Sequence, residues 1–332
     1  MTIVLKKGAE INAAEWDALV WESPQGNLYH CHAYLTHLLP DWQAAVLYHD
    51  GRMAAAFPWS EKRKWGIRYV LQPPFAQYHG ILLRPSSDQV YKELEFQKKA
   101  IQMLHESIPP RILYFSVLFA PQFSYELPLM WSGWQQQTYY TYWTDIGQGY
   151  EAFLRSAASH VRREIKKAEQ SGLTVVAENA PEKVIDILKQ AKPEVVKTIA
   201  PHFFDALCAN ARYYHAAGKS HCLIGYDGEQ AIAGIIYFFY KDKMIYYQGS
   251  TLPAYKNSGI MSKIIAESVR LYGSDYHYLD FDGSMIEPIE RFFRGFGAYP
   301  VRYSRFTLNR LPWYLRAALF CINQWKTRSR PH

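Results

Sequence analysis

Tyr278–Tyr303 reads YLDFDGSMIEPIERFFRGFGAYPVRY. Over Tyr278–Asp282 large apolar and polar residues alternate and then give way to Gly-Ser, which predicts a strand running into a polar turn. Pro288 suits the first turn of a helix, where no N–H is needed, and Asp282 or Ser284 stands where a cap would. Ile286, Ile289, Phe293 and Phe296 share one helical face. Glu287 to Arg291 and Glu290 to Arg294 are acid-before-base pairs on the other face, and Gly295 and Gly297 supply the stop before a second strand. Polar groups at a strand end beside a helix N-terminus are where an α/β protein usually places a ligand.

Upstream of this stretch the same order of elements occurs twice. In the first half, helices at Ile11–Val20 and His30–Leu39 precede strands Gln43–His49 and Met53–Trp59, which flank Asp50-Gly51, a strong hairpin signal. A strand at Trp65–Leu71, the aromatic loop Gln72–Gly80, a helix at Ser87–Ser107, a strand at Arg111–Val117, a short helix at Gln122–Met130 and a strand at Trp134–Ile146 follow. In the second half, helices at Tyr150–Ser171, Pro181–Ala191 and Pro201–Ala217 lead to strands Cys222–Asp227 and Ala231–Tyr240 around Asp227-Gly228. Strand Met244–Gln248 and helix Ser258–Tyr272 then lead into Tyr278–Tyr303. This is a duplication of architecture. The 332 residues predict two domains, 1–147 and 148–310, with a helix at Leu311–Lys326 docking back on the first. The fold class is α/β (α+β), each domain a mixed twisted sheet flanked by helices.

The composition is 49% hydrophobic and 16% aromatic, which fills cores. No window approaches about 18 uninterrupted apolar residues and the N-terminus lacks a signal-peptide layout, so a cytoplasmic protein is expected. Cys31, Cys208, Cys222 and Cys321 have no CxxC spacing, and His30, His32 and His37 lack a nearby acidic ligand, so neither a disulfide framework nor a metal site is expected. After Glu290 come nine basic residues and no acidic one, so residues 1–290 hold 28 basic and 30 acidic residues out of totals of 37 and 30. The positive field belongs to the C-terminal end and favours an anionic substrate, nucleic acid or peripheral membrane contact.

Two segments carry a resemblance to a known family. SHVRREIKKAEQSGLTV, beginning at Ser159, is similar to the form R-x-x-I-x-K-A-x-x-x-G through Arg162, Ile165, Lys167, Ala168 and Gly172, and LDFDGSMIEPIERFFRGFG is similar to a strand–Gly–helix–FG segment. With the duplicated order, the chain resembles two tandem GNAT-like domains of the FemAB-like acyltransferases, among them the Fem-type peptidoglycan aminoacyltransferases. The resemblance implies an acyl- or aminoacyltransferase that forms an amide on an anionic acceptor, such as a cell-wall precursor, in a cleft between the halves. It also implies an aminoacyl-tRNA or acyl-CoA donor and no permanently bound cofactor. Lys256, Asn257, Ser258 and Gly259 stand where acyl-CoA-binding GNAT proteins hold pyrophosphate, but Met261 occupies a position that is small in that pattern.

On this reading Asp282 and Glu287 position or deprotonate the amine, Ser284 and Arg291 assist binding, and Tyr247, at the splay of two strands, donates to a leaving group. Arg162, Arg163, Lys166 and Lys167 form an anion site, and Tyr78 and His79 lie in an acceptor-side loop. The simpler assignments are a helix cap for Asp282, a solvated face for the basic helix, strand packing for Tyr247 and a hydrogen-bonded loop residue for His79. Two alternatives stand beside the main one: an acyl-CoA-dependent N-acetyl- or N-acyltransferase, and a non-catalytic nucleic-acid- or anion-binding module, with tRNA among its partners.

Overall fold

The computed structural model describes residues 1–316. In the first half the strands are β1 (Thr2–Lys7), β2 (Gln43–His49), β3 (Arg52–Trp59), β4 (Lys62–Lys64), β5 (Ile67–Leu71), β6 (Leu82–Leu83), β7 (Ile112–Phe119) and β8 (Gln135–Asp145). In the second half they are β9 (Thr174–Glu178), β10 (Ser220–Asp227), β11 (Gln230–Tyr240), β12 (Lys243–Thr251), β13 (Tyr278–Asp280) and β14 (Tyr299–Asn309). They form a four-stranded sheet, β1-β2-β3-β6, and a ten-stranded sheet, β4-β5-β7-β14-β8-β13-β12-β11-β10-β9.

The ten-stranded order means that the two halves exchange their last strands. β8 pairs with β13, Tyr278 opposite Asp145, and with β14 from Tyr299↔Trp143 to Thr307↔Gln135. β14 also pairs with β7, Ser304↔Phe119 to Asn309↔Tyr114, so it lies between two strands of the first half. The core follows the backbone: Tyr34 and Trp42 share one buried cluster with Phe203, Phe238 and Tyr247, while Phe306 of β14 packs with Phe57 and Phe115.

β1 and β9, each an antiparallel edge neighbour of the next strand, are additions to the sequence reading. Both are short and largely unburied, so they carry little apolar alternation. Asp50-Gly51 forms the expected two-residue turn, both residues at positive φ. In the second hairpin Asp227 instead pairs with Gln230, and Gly228-Glu229 makes the turn.

The helix expected over Tyr150–Ser171 is two helices, Tyr150–Ser156 and Ser159–Gln170, because Ala157 and Ala158 are extended between them. Arg162 spans this break, its guanidinium donating to the carbonyls of Leu154, Arg155 and Ala157, which the first helix leaves unpaired. The helix expected at 311–326 lies outside the described residues from 317 onward. Among the described residues no helix is long and apolar enough to cross a membrane.

Candidate active site

β12 and β13 run parallel, but their pairing is confined to Lys243↔Tyr278, Met244↔Leu279 and Ile245↔Asp280. Beyond it the strands splay. From Tyr246 onward β12 is held by β11 on one side only, so alternate backbone N–H and C=O groups on the other side have no strand partner. A cavity of about 600 Å³ fills the splay, lined by Tyr246–Thr251, Phe281–Ser284, the helix residues Pro288, Ile289, Phe292 and Phe293, and Lys192, Lys256 and Met261. A second cavity, of about 350 Å³, is lined from both halves, by Asn27, Tyr29, Tyr78, Pro121 and Trp143 and by Lys241, Asp242, Lys243, Asp280 and Asp282.

Asp282 is in the lining of both cavities. It has φ +56°, a left-handed conformation that Asp tolerates and that costs of order 1 kcal/mol. Its Oδ1 accepts the Tyr29 hydroxyl at 2.6 Å, across 253 residues of chain. Its backbone N–H donates to Asp280 Oδ1 at 3.0 Å, and the same oxygen accepts the Thr141 hydroxyl at 2.7 Å. Desolvation, with the Asp280 carboxylate next in importance, holds the Asp282 carboxyl well above the usual range. Burial also raises Asp280, opposed by its hydrogen bond from Thr141. The next residue, Gly283, has φ +81°, and a Cβ there would stand 2.4 Å from Gln77 Nε2, so glycine is required for the turn.

Around Asp282 stands a set of buried tyrosines. Tyr29 stacks on Tyr247 with ring centroids 6.1 Å apart, and the Tyr34 and Tyr247 hydroxyls lie 2.7 Å apart. Both of these hydroxyls reach the carbonyl of Phe75, Tyr247 at 2.8 Å. Burial pushes Tyr29, Tyr34, Tyr78 and Tyr247 up, so all four stay neutral donors. The Tyr78 hydroxyl is buried beside the smaller cavity with no hydrogen-bond partner.

Ser284, the second proposed cap, accepts the N–H of Ile286 at 3.1 Å and lines the larger cavity. Asp282 does not cap the helix, which begins at Glu287. Glu287 and Arg291 are exposed and line neither cavity; Glu290 and Arg294 form the second expected pair at 3.1 Å. Arg162, Arg163, Lys166 and Lys167 are exposed and also line neither cavity, and Lys167 Nζ donates to the Asn257 carbonyl at 2.8 Å. His79 is 1% exposed, lies against His30, and is held neutral by burial, which lowers it to about 4.

Of the 256–259 loop, Lys256 reaches the larger cavity. Ser258 Oγ accepts the N–H of Ile260 at 3.2 Å. Gly259 (φ +82°) lies where a Cβ would come within 2.1 Å of the Glu164 carbonyl oxygen, so its lack of a side chain serves helix packing. Tyr29, Tyr34, Asp280, Lys192 and Lys243 were not legible as site residues, since each reaches the site through tertiary contacts alone. Among the described residues no group of three or more His, Cys, Asp or Glu is gathered as a metal site would require.

Residues 155–283 match the family model described as an acetyltransferase (GNAT) domain. FemX has the same fold along nearly its whole length: TM-score 0.65 at 12% identity, over 92% of this chain and 97% of that one. Residues 155–283 thus hold a GNAT-type domain, in a chain that has the fold of FemX. The chain is also similar to a tandem GNAT protein of the clavulanic acid biosynthesis pathway (TM-score 0.53, 9% identity, 94% and 99% covered). A third likeness is to L-PGS of Bacillus licheniformis (TM-score 0.53, 9% identity, 96% and 97% covered). No curated protein matches its sequence. The matched segment holds β12, β13, the 256–259 loop and Asp282, so the residue common to these two cavities lies within the matched GNAT domain.

Proposed function

We propose that the protein forms an amide by moving an acyl group from a donor lodged between β12 and β13 to an amine that reaches Asp282 from the smaller cavity. The observation that carries this reading is the position of Asp282 in the wall common to both cavities. Acyl transfer to an amine needs a neutral nitrogen, a group that takes its proton, and donors for the oxyanion. The amine nitrogen bonds to the acyl carbon as Asp282 takes its proton, the donor's C–S or C–O bond breaks, and Asp282 returns the proton to the departing sulfur or oxygen; Tyr29 fixes the carboxylate through the 2.6 Å hydrogen bond, and the unpaired N–H groups of β12 face the acyl carbonyl. A carboxyl whose proton affinity is raised is a better base for this step than an ordinary one. Tyr247 is held by Phe75 and Tyr34 and acts as a wall of the donor site.

The two GNAT-like units are assigned as 1–147 and 148–310, and the smaller cavity is their common cleft. The acceptor is an amine on an anionic carrier, as a cell-envelope precursor would be; Lys241 and Lys243 in the cleft suit the anion. The donor carries phosphate: Lys192 and Lys256 both line the larger cavity, and burial, with the Lys256 charge next, lowers Lys192. Acyl-CoA and aminoacyl-tRNA share this chemistry. Incubating the protein with labelled acyl-CoA or labelled aminoacyl-tRNA and a panel of amine acceptors tests the reading. Label transferred from one of the two supports it; equal binding of charged and uncharged tRNA with no transfer to any acceptor would establish a binding module instead.

In the same assay, replacing Lys192 and Lys256 together by Ala raises the donor KM about ten-fold or more and flattens its salt dependence, with kcat little changed. An unchanged KM would move the phosphates elsewhere.

A further inference from the structure

The β4–β5 hairpin ends in Trp65-Gly66, with φ +51° and +78°. Bulky side chains rarely occupy the left-handed region, and holding one there costs roughly 1 kcal/mol. Trp65 is nonetheless 88% exposed and has Lys64 as its cationic neighbour, the ammonium 4.7 Å from the ring centroid. An indole fixed at the tip of a turn with no core to pack on contributes nothing to the fold, so the hairpin's stiffness serves contact with something outside the chain.

The charge around it is basic. Arg63 and Lys64 are exposed and form no ion pair among the described residues. The carboxylate at the base of the hairpin, Glu61, is taken by Arg68 at 3.1 Å and Arg111 at 2.7 Å. β5 runs parallel to β7, Arg68 beside Ile112, and β14 runs antiparallel to β7, Asn309 beside Tyr114. The hairpin tip and the end of β14 therefore emerge at one end of the ten-stranded sheet. There Trp313 and Tyr314 are 80% and 56% exposed, and the side chains of Arg310 and Arg316 bind backbone carbonyls only.

Exposed Trp and Tyr among unpaired Lys and Arg match the two layers of an anionic bilayer surface, the acyl boundary and the phosphates above it. Single-stranded nucleic acid would call for a groove with successive stacking platforms, whereas this is a convex tip. We propose that this end of the sheet docks on an anionic lipid bilayer, Trp65 entering the interface and Arg63 and Lys64 meeting lipid phosphates. The surface involves neither cavity and stands independently of the acyl-transfer reading.

Co-sedimentation of the full chain with phosphatidylcholine vesicles, with and without phosphatidylglycerol, tests it. The protein is expected to bind the phosphatidylglycerol vesicles and to leave phosphatidylcholine alone. Trp65→Ala weakens that partition about ten-fold and Arg63→Ala/Lys64→Ala about twenty-fold, with unchanged melting temperatures because all three side chains are exposed. No binding to the anionic vesicles, equal binding by parent and both variants, or an affinity for single-stranded RNA that Trp65→Ala removes without any lipid binding would each overturn the proposal.

Discussion

Asp282→Asn yields a folded protein that melts higher than the parent and has lost about 10²–10⁴-fold in kcat/KM. The loss follows from chemistry: the amide of Asn takes no proton, while its oxygen still accepts the Tyr29 hydroxyl, so the surrounding geometry is kept. The gain in stability follows from linkage. Asp282 holds its proton far more tightly folded than unfolded, because burial and Asp280 oppose its charge. The native state therefore binds more protons than the unfolded chain once pH passes the ordinary carboxylate value of about 4, and stability falls with rising pH until the folded value is passed. Asn removes that cost. Its advantage in melting temperature, roughly 2–6 °C, should be absent at acid pH, grow through this window and then level off. The same raised proton affinity places the acid limb of the parent's kcat/KM profile above the usual carboxylate range, rising with pH, and the limb is lost in the variant. Thermal melts and initial rates across pH measure both halves; a variant that is destabilised at neutral pH, or as active as the parent, would contradict them.

Neither half is expected to fold alone. Residues 1–147 lose β14, which lies between β7 and β8, and β8 loses its partners on both sides, β13 and β14. Exposed ladder groups on one edge of β7 and both edges of β8, and the missing Phe306 in the Phe57–Phe115 core, outweigh what the fragment retains. Either fragment by itself should be aggregated or show no cooperative melt, whereas co-expression of 1–147 with 148–332 should return a soluble complex with a single transition. A cooperative melt from isolated 1–147 would show that the exchange of strands is dispensable.

The hairpins and long helices were legible because their signals are local. Gln43–His49 and Pro181–Ala191 follow from alternation, from Asp50-Gly51 and from Pro181, and lie where the pattern put them. The exchange of β8 and β14 was not legible, since pairing choice depends on which edge is open and periodicity says nothing of that. Asp282 shows the same limit. Asp-Gly-Ser before a helix reads as a cap, yet the helix starts at Glu287, and a positive φ turns the carboxylate toward Tyr29, a residue that no motif marks. The basic helix shows the reverse. Its charges are local and visible, but the apolar line Val161, Ile165 and Ala168 faces the core and leaves them outside, with Arg162 bracing the preceding helix. Gly259 matched a loop pattern for a reason that lies in packing against Glu164, so substituting it would disturb the fold before any ligand.

In the proposed reaction donor and acceptor meet at Asp282. Crystal structures of Asp282→Asn with acyl-CoA, and with an aminoacyl-tRNA acceptor-end analogue, locate both. One of them should show density along β12 in the splay beside Gln248 and Ser284, with the acyl end at residue 282 and phosphate near Lys192 and Lys256. Density on the outer face of the Ser159–Gln170 helix, with the splay empty in both crystals, would contradict it.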